Sequence, residues 1–264
     1  MMVRRAGLLA TERAVRAERG GRCVSIDFSL SGQRLPALLL MPDSAALAPA
    51  ALLLHGYTSH KERMIESVGR ALLARGVAAL ALDLPLHGER EGTLDARALR
   101  SPIEILRQWR AALEETRLAV RWLAAHDGVD ADRVGVVGYS LGSFVGVIAA
   151  AAEPAVRAVL LAAGGDLPTD LPFGALVRAS ADPLRAVRRL EGRPLLMLNG
   201  TLDRTVRPDQ AERLFAAARE PKELRWYPGG HWPPAREIDA GAAWLASRLS
   251  APRARAPSPP PAPR

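Results

Sequence analysis

Gly138-Tyr139-Ser140-Leu141-Gly142 stands between residues 133–137, an apolar run that reads as a β-strand, and residues 140–152, a stretch of small residues that reads as a helix. A serine at a turn from strand to helix is forced into strained φ/ψ, and glycine on both sides removes the β-carbons that would collide there. Its hydroxyl then stands exposed at the carboxyl edge of a sheet, beside the first amides of the helix. The alternative is that small residues merely let this helix pack close to its sheet.

Outward from this turn, short β-rich runs alternate with longer helical stretches, the pattern of a mostly parallel sheet covered on both faces. Residues 23–30 and 35–41 flank the turn Ser31-Gly32-Gln33 and read as an antiparallel hairpin. Residues 50–54 form a continuous apolar run, expected of a strand buried on both faces. Ser59 and Glu62 read as a capping box opening a helix that ends at Gly76, and residues 77–82 give the next strand. Residues 83–100 form a long polar loop, after which Ser101-Pro102-Ile103-Glu104 starts a helix running to about His126. Further strands are expected at 156–162, 194–198 and 224–227, and further helices at 208–218 and through Ile238, Ala242, Leu245 and Leu249. Residues 164–181 read as a second surface loop or small lid. The spacing predicts an α/β fold: a mostly parallel central sheet with an N-terminal antiparallel hairpin and helices on both faces. A basic segment is expected at 1–22, one domain at 23–249 and a disordered Pro/Arg-rich tail at 250–264.

The chain has 264 residues, 48% apolar and 24% charged, an ordinary globular balance for a single domain. Its net charge of +8 is concentrated at the ends: residues 1–22 hold six Arg against two Glu, and residues 250–264 three Arg and no acid. The nearly neutral body shows no Lys/Arg stripe interleaved with aromatics, so a nucleic-acid partner is not expected. Cys23 is the only cysteine, which excludes an intramolecular disulfide framework. The apolar stretch 6–10 stops too early for a signal-peptide core, and no run is long enough to span a membrane. These features lead us to expect a cytoplasmic protein.

A serine hydroxyl needs a base, and the base needs a carboxylate to orient it and to stabilise its imidazolium. Asp203, just past the strand at 194–198, and His231, in Gly229-Gly230-His231-Trp232 just past the last strand, both fall on loops at the sheet edge that carries Ser140. Asp166 and Asp170 follow the preceding strand and are the alternative acids; Asp203 is preferred for its distance from the strand end. Asp209 opens a helix and is read as interacting with its dipole. Of the other histidines, His126 reads as a helix-end cap and His60 as a surface residue. His55 reads as a loop holder, and His87 as a pocket residue with a lesser claim to be the base. Asp83 is read as shaping its loop. No His-x-x-x-His, Cys-x-x-Cys or phosphate-cradling glycine run occurs, so no metal site and no cofactor is expected.

The order Ser140, Asp203, His231, together with the loop His55-Gly56-Tyr57, resembles the α/β-hydrolase superfamily over residues 23–249. His55-Gly56-Tyr57-Thr58-Ser59-His60-Lys61-Glu62 and Asp83-Leu84-Pro85-Leu86-His87-Gly88-Glu89-Arg90 look like small bacterial serine carboxylesterases near the dienelactone hydrolases and prolyl-oligopeptidase catalytic domains. The resemblance implies Ser140 as nucleophile, His231 as base, Asp203 as orienting acid and an oxyanion hole made by the backbone amides of Tyr57 and Leu141. Dienelactone hydrolases proper carry cysteine at the elbow, prolyl oligopeptidases carry a propeller for which this chain has no room, and the loops here are short for a lipase lid.

The expected substrate is a small or medium ester. Tyr139, Trp232 and His87, with Leu86, Trp109, Phe173 and Leu176, are candidates for an apolar pocket. A peptidase or amidase, and a binding protein without catalysis, are the alternative functions. The oligomeric state is left open.

Overall fold

The computed structural model describes residues 2–44, 46–90, 101–169, 171 and 173–251. Ten strands form one sheet: β1 (Met2–Arg5), β2 (Leu8–Glu18), β3 (Gly21–Leu30), β4 (Gln33–Pro42), β5 (Ala48–Leu54), β6 (Ala78–Leu82), β7 (Val129–Tyr139), β8 (Val156–Ala162), β9 (Leu195–Gly200) and β10 (Lys222–Tyr227). Their spatial order is β1-β2-β3-β4-β6-β5-β7-β8-β9-β10. Pairing is antiparallel from β1 through β4 to β6, and parallel from β6 to β10.

The apolar run expected at 50–54 is the centre of this arrangement. Every residue of Ala48–Leu54 is buried, as a strand with helices on both faces requires. Its alternate side chains feed two cores. Leu52 and Leu54 join a core with Leu80 and Val136, and Leu53 joins another with Ala79 and Val137. Helices α3 (Pro102–Ala124), α4 (Leu141–Ala152), α6 (Pro183–Val187) and α7 (Pro208–Ala217) cover the first face. The second is covered by α1 (Lys61–Met64), α2 (Arg70–Leu73) and α8 (Ala235–Ser250). A π-helical stretch, Ile65–Gly69, joins α1 to α2.

Two expectations need correction. The basic segment 1–22 is not separate from the domain, because β1 and β2 extend the expected hairpin into a four-stranded antiparallel wing. Its arginines hid a strand whose Leu8 and Ala10 are nevertheless buried, while Arg5 bonds the Ala125 carbonyl and Asp127 at the end of α3. The capping box at Ser59 does not form either. His60 is the N-cap of α1 and contributes no side-chain cap. Instead the Lys61 amide donates to Asp83 Oδ1 at 2.8 Å, so a carboxylate from the end of β6 replaces the local cap.

By contrast, Ser101 accepts from the Glu104 amide at the start of α3, with Pro102 in the first turn, and β8 spans the expected residues. The second loop contains a short helix, α5 (Gly174–Ser180). Residues 91–100 of the first long loop, Asp170, Pro172 and the expected tail from 252 onward lie outside the described residues. Among the described residues no helix is long and apolar enough to cross a membrane.

Candidate active site

The registers bring the carboxyl ends of the parallel strands to one edge: Leu54 lies opposite Leu82 and Gly138, and Tyr139 opposite Ala162. Ser140 follows directly, with φ 51° and ψ −113° as the N-cap of α4. A non-glycine residue is rarely held in this region, and strain of about 1–3 kcal/mol persists only where the surroundings over-determine it. Here they do. The Ser140 amide donates to the Ala162 carbonyl at 2.9 Å, and Ser143 Oγ lies 2.9 Å from the carbonyls of both Gly138 and Ala162. The flanking glycines are sterically required. A β-carbon at Gly138 would lie 2.4 Å from the Gly142 carbonyl oxygen, and one at Gly142 would lie 2.2 Å from that of Leu54.

His231 and Asp203 converge on this serine from the loops after β10 and β9. The Ser140 hydroxyl lies 2.8 Å from His231 Nε2, and His231 Nδ1 lies 2.8 Å from Asp203 Oδ2. The other Asp203 oxygen accepts from the amides of Thr205 at 2.8 Å and Val206 at 3.0 Å. Asp203 is 3% exposed. With an ionised acceptor on one side, Nδ1 carries the hydrogen of the neutral ring and Nε2 presents its lone pair to the serine.

The rival residues are occupied elsewhere. Asp166 pairs with Arg178 and Arg213, and Asp209 pairs with Arg213 and Arg207 at the start of α7. His55 is fully buried and bridges two loops: its Nδ1 is 2.8 Å from the Gly56 carbonyl and its Nε2 accepts from the Leu84 amide at 3.0 Å. Burial pushes its pKa down to about 4, as expected for a ring held neutral. His60 lies beside Glu62 on the surface, and His126 accepts from the Gly128 amide.

The loop after β5 runs against Ser140, since a β-carbon at Gly56 would lie 3.2 Å from Ser140 Cβ. Tyr57 follows in that loop, and Leu141 opens α4, where the first amides have no intrahelical acceptor. Leu141 thus adjoins the serine in sequence, and Tyr57 follows the glycine that packs against it.

A cavity of about 340 Å³ opens at Ser140 and is lined by Tyr57, His87, Trp109, Leu141, Phe144 and Val177, among others. Of the residues expected to line a pocket, Tyr139 and Trp232 lie elsewhere, in a separate small recess with Met64 and Val68. The reason is alternation along the chain, which sends Tyr139 to the face of the sheet opposite the cavity. There it packs edge-on against Trp232 at 4.5 Å, and Arg63 covers the Trp232 ring at 4.1 Å. Burial, with the nearby Asp203 carboxylate, pushes the Tyr139 hydroxyl up to about 12. Phe173 and Leu176 are exposed.

Sequence reasoning missed the clamp that holds the cavity rim. Lys61, 2% exposed, reaches Asp83 at 2.9 Å, Glu89 at 2.7 Å and Glu62 at 2.7 Å. Burial opposes its charge, but these hydrogen bonds outweigh it and push the pKa up. Arg90 forms a two-pronged pair with Glu115 of α3 at 2.7 and 2.9 Å. The available signal was scarcity, since Lys61 is one of only two lysines in an arginine-rich chain. Among the described residues no three metal-ligating side chains converge.

A model of the alpha/beta hydrolase family matches residues 51–261. The chain is 30% identical over 158 residues to a polyketide transferase of Stachybotrys chlorohalonatus, covering 59% of this chain and 49% of that one. It is 28% identical over 135 residues to a probable 2-oxo-3-(5-oxofuran-2-ylidene)propanoate lactonase of Bradyrhizobium, covering 50% and 52%. The chain spans about half the length of these two relatives. Among solved structures it is similar to a cold-adapted esterase from an Arctic intertidal metagenomic library, with 25% identity and a TM-score of 0.72 over 89% of this chain and 97% of that one.

Proposed function

Because the chain belongs to the alpha/beta hydrolase family, we propose that it hydrolyses carboxylic esters of small or medium size through an acyl-enzyme on Ser140. The observation that carries this reading is the line from Asp203 through His231 to Ser140, 2.8 Å at each step, beside a cavity walled largely by apolar side chains. The esterase and the lactonase among its relatives support an ester substrate, a lactone being a cyclic ester.

Ser140 Oγ bonds to the ester carbonyl carbon while its proton passes to His231 Nε2, and Asp203 balances the imidazolium. The amides of Tyr57 and Leu141 receive the oxyanion. Such preorganised donors are a large part of the rate, since losing one typically costs about 10² to 10³ in turnover. As the intermediate collapses, the bond to the alcohol oxygen breaks and His231 returns the proton to it. Water then gives a proton to His231, attacks the acyl carbon and releases the acid with Ser140 restored.

The test is hydrolysis of p-nitrophenyl esters of increasing acyl length and of matched anilides, by wild type and Ser140→Ala together. Ester turnover that vanishes in the variant supports the reading, and preferential anilide turnover replaces it with an amidase. Absence of both turnover and fluorophosphonate labelling at Ser140 in folded protein refutes it.

A further inference from the structure

Nine large apolar side chains are exposed among the described residues, and six of them belong to one place. Tyr57 lines the cavity beside Ser140, and Ile103 precedes the lining residues Glu104 and Ile105 at the start of α3. Phe173 and Leu176 stand at the start of α5, between the lining residues Leu171 and Val177. Leu202 precedes Asp203, with its amide donating to the Gly229 carbonyl at 2.9 Å, and Trp232 follows His231. Each of the six is therefore a cavity-lining residue or lies within two residues of the lining or of the Asp203–His231 pair. The other three, Val15, Leu47 and Trp226, sit singly on β2, before β5 and on β10. Scattered exposed hydrophobic residues are ordinary, whereas a collar of them around an apolar cavity marks a face that meets something apolar.

The charges on this face choose among apolar partners. Glu62, Glu89, Glu104, Asp166 and Asp209 each form an ion pair within the chain. Arg63 and Arg204 are exposed, and no carboxylate of the described residues pairs with either. Arg63 is held instead over the Trp232 ring at 4.1 Å. The uncompensated charge of the collar is thus positive, in a chain of net charge +8. A second copy docked through the same face would bring the same unpaired cations and no carboxylate to meet them. An anionic lipid surface meets both needs, with acyl chains for the apolar side chains and phosphates for the arginines. Aromatic rings beside arginines are the composition that sits at the boundary between acyl chains and headgroups.

We propose that this collar docks the protein onto the surface of anionic phospholipid bilayers. The six apolar side chains enter the acyl boundary, Arg63 and Arg204 meet the phosphates, and the cavity opens toward the lipid. The contact is peripheral and goes beyond the esterase reading, since it requires no turnover. Its consequence for catalysis is delivery: an apolar ester dissolved in the bilayer passes into the cavity without crossing water.

The experiment is flotation of the full-length protein with vesicles of diether phosphatidylcholine, with and without diether phosphatidylglycerol, ether lipids offering an esterase nothing to cleave. The expected result is partition onto the anionic vesicles about tenfold or more above that onto the neutral ones, on the scale of about fivefold per arginine at an anionic surface. Ile103→Asn combined with Leu202→Asn changes the two most exposed residues of the collar, at 79% and 71%, and lowers partition about tenfold or more. Val15→Asn, at a residue 61% exposed on β2, leaves it unchanged. Arg63→Gln with Arg204→Gln lowers the ratio between anionic and neutral vesicles at least about threefold. Circular dichroism checks that each variant is folded, which exposed positions favour.

Absence of flotation with anionic vesicles overturns the proposal. So does flotation that the Ile103→Asn, Leu202→Asn variant retains in full, which would assign binding to the basic chain ends common to all variants. A lipid preference that survives loss of both arginines, or a concentration-dependent dimer lost in the Ile103→Asn, Leu202→Asn variant, overturns it as well, the dimer assigning the face to a second copy. Failure of the esterase reading is separate: it appears as ester turnover that persists in Ser140→Ala or is absent in wild type, and it leaves the flotation unmoved.

Discussion

Asp203→Asn is the substitution whose outcome follows most directly from the geometry. Asp203 Oδ1 accepts two backbone hydrogen bonds, from Thr205 at 2.8 Å and Val206 at 3.0 Å. An asparagine in the same place must keep its carbonyl oxygen there, because turning its NH₂ toward those amides would set donors against donors and cost both bonds. The NH₂ then points at His231 Nδ1, which now has to accept. The neutral imidazole responds by carrying its hydrogen on Nε2, the atom that lies 2.8 Å from Ser140 Oγ. A ring protonated there cannot take the serine proton. The expected loss is about 10⁴-fold in kcat, equivalent to about 5.5 kcal/mol in the barrier, the scale found when a triad carboxylate becomes an amide. Ester turnover of wild type and variant should be measured with active-site titration and circular dichroism on the same samples. A folded Asp203→Asn protein that keeps more than about a tenth of wild-type kcat would refute the tautomer argument and with it the role given to Asp203.

Asp83→Ala removes a fully buried carboxylate that accepts from Lys61 N, Lys61 Nζ and the Glu89 amide. Lys61 keeps Glu62 and Glu89, so the loss is that of the hydrogen bonds to Asp83, about 2–3 kcal/mol, and should lower Tm by roughly 6 °C; a fall below about 2 °C would contradict the clamp. Lys61→Met combined with Asp83→Ala should cost less than the sum of the single changes. His55, held neutral by burial at about 4, makes stability fall with acid. Its contribution is complete above about pH 6.5 and is lost toward about pH 4, by roughly 3 kcal/mol, because the unfolded chain takes up the proton first. His87 and His126, whose pKa values burial also lowers, act in the same direction. Urea unfolding across that range should show the slope, and His55→Asn should reduce it. Tyr57→Ala keeps the backbone amide and removes a side chain that is 49% exposed, so kcat should fall less than about tenfold, well short of the loss of an oxyanion donor.

The parts of this molecule that were legible in the sequence are those fixed by neighbours along the chain. Glycines two residues either side of Ser140 announce a turn that needs them, and Ser101 with Glu104 announces a helix start that depends on four consecutive residues. Ala48–Leu54 announces its burial on both faces by having no polar position. The misses arise where a distant segment intervenes. Ser59 had the right local chemistry for a cap, but Asp83, 24 residues later, took the Lys61 amide instead. Tyr139 and Trp232 adjoin the serine and the histidine in sequence, yet strand alternation sends the Tyr139 ring across the sheet from the cavity, and Trp232, in the loop after β10, packs against it there. Leu8–Glu18 did not read as a strand because residues 12–17 are all exposed and do not alternate between apolar and polar side chains, and its place was set by pairing with β3.

Part of the cavity wall and the groups proposed to break bonds come from different layers of the molecule. Ser140, Asp203 and His231 stand at the ends of β7, β9 and β10, whereas Trp109 belongs to α3, Val177 to α5 and His87 to the loop after β6. Side chains of these helices and of this loop can change volume or polarity without altering the strand registers that align the reacting atoms. Selection, natural or in the laboratory, can therefore explore new substrates on one layer while inheriting the chemistry of the other. Substitutions at α3 and α5 are the economical starting library for redirecting this protein.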